Sequence, residues 1–84
     1  MKFQGALVKE QGITFGIAVV KQSVLHSTDR DQVRLQFARA FRAPTVLMAQ
    51  DSRGTPEYYG RQDIVNFLAN VSIAAIPWRE YRLQ

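Results

Sequence analysis

The stretch 44-PTVLMAQDSRGTPEYYGRQDIVNFLANV-71 decides the fold. Thr45 to Gln50 carries four consecutive apolar residues, Val46, Leu47, Met48 and Ala49, the mark of a strand covered on both faces. Asp51-Ser52-Arg53-Gly54 is turn chemistry. Pro56 removes a ladder N–H, so the strand that follows, Glu57 to Tyr59, is short and lies near an edge. Gly60 permits the next bend. From about Arg61 to Val71 the period becomes helical: Ile64, Phe67, Leu68 and Val71 share one face, and Gln62, Asp63, Asn66 and Asn70 share the other.

Upstream, the residues supply partners for that unit. Phe3, Gly5 and Leu7 alternate with Gln4, Ala6 and Val8 in a first strand, and Lys9-Glu10-Gln11-Gly12 is a turn. The second strand is Ile13 to Lys21. Phe15, Ile17 and Val19 face one way, and Thr14, Gly16, Ala18 and Val20 the other; both faces are apolar or small, as in a central strand. Gly16 and Ala18 leave room for a helix to approach closely. The two strands form an antiparallel hairpin. Gln22 to His26 reads as a connector. A helix then starts at Ser27 or Thr28, where Thr28-Asp29-Arg30-Asp31 fits a capping box. Asp29 and Asp31 suit the positive end of the helix dipole, and Arg39 and Arg42 the negative end. Val33, Phe37, Ala40 and Phe41 form its apolar stripe, with Leu35 pointing away. Ala43-Pro44 ends it.

Downstream, Ser72 to Ile76 is an apolar loop. Trp78, Glu80 and Arg82 alternate with Arg79, Tyr81 and Leu83 in a fifth, edge strand whose charges discourage edge pairing. The expectation is an α+β fold in one domain, residues 1–84, with a single mixed sheet of four to five strands and two helices in the order β-β-α-β-β-α-β. If strands two and three lie parallel, the crossover between them is right-handed. The two hairpin–helix units match poorly residue by residue, so no duplication is read from them.

PTVLMAQDSRGTPEYYGRQDIVNFL resembles the C-terminal half of thioredoxin-like domains: proline-threonine, apolar strand, glycine turn, strand, glycine, amphipathic helix. The likeness covers about a third of the chain. It implies a cis bond at Ala43-Pro44. The redox chemistry of that family needs a Cys-x-x-Cys after an early strand, and Val20-Lys21-Gln22-Ser23 has no cysteine. The chain is also shorter than that fold, with added strands at both ends. No functional residue carries over.

Composition narrows the chemistry. There is no cysteine, which removes disulfides, thiolate metal sites and cysteine nucleophiles. The single histidine cannot build a multi-histidine metal site, so neither a metal nor another cofactor is expected. The start MKFQGALVKEQG lacks the apolar run of a signal peptide, and no run approaches the roughly 18 apolar residues of a membrane span. A cytoplasmic protein with no membrane partner is the expectation. Eleven Lys and Arg against seven Asp and Glu give a net charge of +4. That charge keeps a small domain soluble and also favours nucleic acid or an acidic protein.

No motif commits the chain to a reaction. His26, Ser27 and Asp29 are the residue types of a hydrolytic triad, but near-neighbours in sequence seldom converge, and Ser27 and Asp29 suit a helix start. Asp51, Glu57 and Asp63 suit a turn, an edge strand and a helix first turn better than a carboxylate cluster. Gly54 and Gly60 lack the spacing and lysine of a phosphate loop. Asp63 repels anions from the helix start where Arg61 would attract them. The candidate binding residues are Arg53, Tyr58, Tyr59, Arg61 and Trp78, aromatics interleaved with arginine that suit a protein partner or stacked bases. The remaining basic residues form no stripe. The sequence thus points to a non-enzymatic binding or scaffold domain that self-associates through an edge strand or an aromatic patch. Weak nucleic-acid binding and an enzyme without a recognisable motif are the alternatives.

Overall fold

The computed structural model describes residues 1–10 and 12–83. Gln11, in the expected first turn, and Gln84, at the end of the expected last strand, lie outside the described residues. The elements are β1 (Lys2–Glu10), β2 (Ile13–Val19), α1 (Gln22–Leu25), α2 (Arg30–Phe41), β3 (Thr45–Gln50), β4 (Pro56–Tyr59), α3 (Gln62–Leu68), a 3-10 turn (Ile73–Ala75) and β5 (Arg79–Arg82). One mixed five-stranded sheet has the order β4-β3-β2-β1-β5. The two strands whose both faces are apolar, β2 and β3, are parallel neighbours, with Gly16 opposite Thr45 and Val19 opposite Met48. The other pairings are antiparallel. Pro56 opens β4 at one edge of the sheet, and β5 forms the other, as the sequence requires.

Helices cover both faces of the central pair. On one face, α3 and the chain after it pack Ile64, Leu68 and Ile76 on Ala6, Phe15, Ile17, Val46 and Met48. On the other, α1 and α2 pack Leu25 and Phe37 on Phe3, Ala18, Leu47 and Ala49. The alternation along β2 is what divides its side chains between these two layers.

The α2 side has one close approach. A Cβ on Gly16 would lie 2.4 Å from the Phe41 ring, and one on Gly5 would lie 3.1 Å from it. Phe41 therefore sits in a notch left by two glycines on adjacent strands. Phe3 and Tyr81 meet its ring edge-on, with centroids 5.6 and 5.0 Å away, and Phe37 packs on Phe3 at 4.7 Å.

Several local expectations change. The capping box does not form: α2 starts at Arg30, after Asp29, without a side-chain cap hydrogen bond. Ser27 Oγ instead lies 2.8 Å from the Val24 carbonyl and 2.7 Å from Asp29 Oδ1, so the local turn takes the polar groups that a cap needs. The Gln22–His26 connector contains the single helical turn α1. Ala40 is exposed, because it sits at the margin of the stripe that Val33, Phe37 and Phe41 form. α3 stops at Leu68, where Asn70 and Val71 close tighter i→i−3 bonds. The Ala43–Pro44 bond is trans. Leu35 is outward, as its phase dictates.

Gly16→Ala should lower the unfolding free energy by about 2 kcal/mol through overpacking against Phe41. Leu35→Ala should change it by less than about 0.5 kcal/mol. Urea melts of the two variants measure the difference.

Candidate functional site

The sequence points to Arg53, Tyr58, Tyr59, Arg61 and Trp78. Arg53 is exposed in the β3–β4 turn, where its backbone N–H donates to Asp51 Oδ1 at 2.8 Å. Tyr58 and Tyr59 point to opposite faces of β4. Tyr58 packs into the α3-side core; its hydroxyl is buried with no hydrogen-bond partner among the described residues, and burial pushes its pKa up. Tyr59 packs on the α2 side, with the Arg30 guanidinium 4.0 Å above its ring and its hydroxyl donating to Asp31 Oδ1 at 3.2 Å. Arg61 stands at the start of α3 and forks onto Asp63 with two 2.8 Å bonds. Trp78 is half-buried against the α3-side core and donates its indole N–H to the Ile73 carbonyl at 2.8 Å. It precedes β5, whereas the two tyrosines lie on β4 and Arg53 and Arg61 flank that strand. Three strands separate β4 from β5, so Trp78 stands apart from the other four.

The charged groups around β4 are engaged with one another. Arg34 donates to Asp31 at 2.8 and 3.0 Å, and this contact chiefly holds the Asp31 carboxyl below its ordinary pKa. Glu57 accepts from Gln22 at 2.9 Å and lies 3.2 Å from His26 Nε2. His26 thus pairs with Glu57 across the sheet edge, while Ser27 bonds locally. Asp51 accepts from the N–H groups of Arg53 and Thr55 and closes its turn. Among the described residues no three His, Asp or Glu gather in a metal-binding group. Among the described residues no helix is long and apolar enough to cross a membrane.

Two surfaces stand out that no sequence pattern marks. The first is an edge. β5 pairs only with Lys2–Gly5 of β1, whereas β1 continues to Glu10 on its β2 side. The outer edge of residues 6–10 therefore has no strand partner, and no other backbone hydrogen bond among the described residues reaches it. Against this half-edge lies a cavity of about 340 Å³, lined by Leu7 to Glu10, Phe67, Leu68, Val71 and Ala75 to Pro77. Phe67 and Glu10 also border a smaller one of about 170 Å³. Leu7, whose side chain shares the opposite face of β1 with Phe3 and Gly5, is 44% exposed. The second surface is a cleft of about 640 Å³ beside the C-terminal half of α2, lined by Gln36, Arg39, Ala40, Arg42, Arg82 and Leu83. Both depend on which half of β1 is covered by β5, a register that neither strand's own pattern reveals.

No protein-family model, curated protein or solved structure matches the chain.

Tyr58→Phe should raise stability by about 1 kcal/mol, because it deletes a buried hydroxyl that has no partner; thermal melts read this directly. The folded pKa of Asp31 is depressed below 3.8, so its contribution is complete above that pH and lost as pH falls through the folded value. Asp31→Asn should accordingly flatten the acid limb of a stability–pH curve and remove most of its own deficit at the acid end.

Proposed function

We propose that this domain is a non-enzymatic interaction module that self-associates by pairing the free half-edge of β1 with its counterpart in a second copy. The observation that carries the reading is the unpaired stretch of residues 6–10 beside an apolar cavity. Such an edge is a template for strand addition: backbone groups supply hydrogen bonds, and alternate side chains enter pockets. Five residues of strand span about 17 Å, enough for an ordinary strand pairing.

The occupant follows from the boundaries of the gap. It is closed at one end by β5, opposite Gly5, and at the other by the hairpin after Glu10. A two-fold axis through Val8, normal to the sheet, lays residues 6–10 antiparallel on 10–6 of the partner. Each gap then fills the other, as an isologous interface requires. Val8 meets its own equivalent, and Leu7 lies opposite the aliphatic stem of Lys9. A non-catalytic reading is supported by the engagement of the carboxylates near β4: Asp31 with Arg34, Glu57 with His26, and Asp63 with Arg61.

So short an interface should be weak, with dissociation in the micromolar range or above. Light scattering across a concentration series should show the average mass climbing from one chain toward two. Leu7→Lys puts a charge on the edge without disturbing the core and should hold the protein at one chain throughout. Leu35→Lys, at an equally exposed leucine on α2, should leave the climb intact. A constant single-chain mass for the unaltered protein, or a dimer indifferent to Leu7→Lys, refutes the reading.

A further inference from the structure

The groove on the α3 face is apolar along most of its length and acidic at one end. Its two cavities, about 340 and 170 Å³, share Glu10 and Phe67 and therefore adjoin. Val8, Phe67, Leu68, Val71 and Ile76 line the larger one. Leu7 and Lys9 border it through their backbone, because alternation sends both side chains to the α2 face, with Phe3 and Gly5. The larger cavity alone has the volume of a small-ligand site, roughly 300 Å³ or more.

The smaller cavity fixes the chemistry of the occupant. Ile13, Phe15, Ile64 and Phe67 are its apolar walls, and Glu10 and Asp63 are its charged residues; no lysine or arginine among the described residues lines it. Asp63 is neutralised by the fork of Arg61. Glu10 is not. Alternation puts its side chain on the face of Ala6 and Val8, opposite Ile13 and toward the groove. Asp29 accepts from Ser27, Asp31 from Arg34, Asp51 from its own turn and Glu57 from Gln22, and Glu80 pairs with Lys2. Of the seven side-chain carboxylates, Glu10 is thus the one with neither an ion pair nor a hydrogen bond among the described residues. The chain as a whole carries a net charge of +4, so this negative end runs against its general field.

We propose that the groove binds an amphipathic organic cation, with an ammonium group at Glu10 and an apolar chain that passes Phe67 into the larger cavity. Glu10 is exposed, so its ion pair alone is weak. The apolar chain supplies most of the affinity, and the carboxylate sets its direction and rejects an anion of the same length. The site borders the β1 half-edge but uses neither its free backbone groups nor a second copy, so it does not rest on the self-association reading.

The test titrates the full chain with butyl-, hexyl- and octylammonium, each below its aggregation threshold, and follows NMR shifts. Affinity should rise about fourfold for each added methylene that the larger cavity accommodates. Octylammonium should bind roughly threefold tighter than octanol, and octanol roughly threefold tighter than octanoate, the margin of an exposed ion pair. A basic protein without this site would prefer the anion. Glu10→Gln should erase the order of the three and leave the affinity for octanol unchanged. Asp29→Asn, the same change in charge on the α2 side of the sheet, should preserve the order. So should Leu7→Lys, held at one chain, which separates a failed groove from a failed dimer. The proposal fails if octylammonium does not bind, if octanoate binds as tightly, or if Glu10→Gln leaves the order as it was.

Discussion

Two apolar strands laid side by side in parallel leave neither face of the sheet fit for water, and the other elements answer that constraint. β2 and β3 send Phe15, Ile17, Val46 and Met48 to one side and Ala18, Leu47 and Ala49 to the other. Each side needs a cover. α3 supplies one and α2 the other, and the crossover that carries α2 is what allows the two strands to run in the same direction. Magnitudes support this ordering. A fully buried Phe, Ile or Leu contributes about 1.5–3 kcal/mol, and Phe15, Ile17, Leu47, Ile64 and Leu68 are all in that state. An exposed ion pair such as Lys2–Glu80 contributes between about 0 and 1 kcal/mol. Packing holds the layers together; the ion pairs trim their margins.

The position of α2 is set more narrowly than its amphipathic stripe requires. A stripe can slide along a flat apolar sheet. The Gly5–Gly16 notch removes that freedom, because only there can the Phe41 ring descend to the backbone. Phe3, Phe37 and Tyr81 then close around the seated ring. This has a chemical result at the surface. With Phe41 fixed inward, Arg39, Ala40 and Arg42 are left along the rim of the cleft, and the helix end is held where a left-handed residue must turn the chain toward Pro44.

The strands, their order of appearance and the two longer helices were legible because each rests on a local pattern. Val46 to Ala49 shows a strand covered twice, Pro56 an edge, Ile64 to Val71 a helical face, and Gly16 a place of close approach. The misreadings share a different cause. Thr28 to Asp31 has the composition of a capping box, but Ser27 and Asp29 satisfy each other within the preceding turn, a competition between local hydrogen bonds that composition does not decide. Ala40 fits the stripe by spacing but sits at its margin, where the helix faces water. Of the candidate binding residues, Tyr59 and Arg61 are occupied by Arg30, Asp31 and Asp63, partners that look in the sequence like ordinary solvated charges. The two surfaces depend on long-range register, and the end of β5 reaches the cleft only because that strand folds back on the first residues of β1.

That same short pairing connects the two surfaces. β5 covers the first half of β1 and stops, so one strand carries a closed end beside the arginine cleft and an open end beside an apolar cavity. A two-fold normal to the sheet, acting at the open end, keeps each face of the sheet on its own side. The α2 layers of the two copies would then lie on one side of a continuous ten-stranded sheet, and both arginine clefts would be carried on that side.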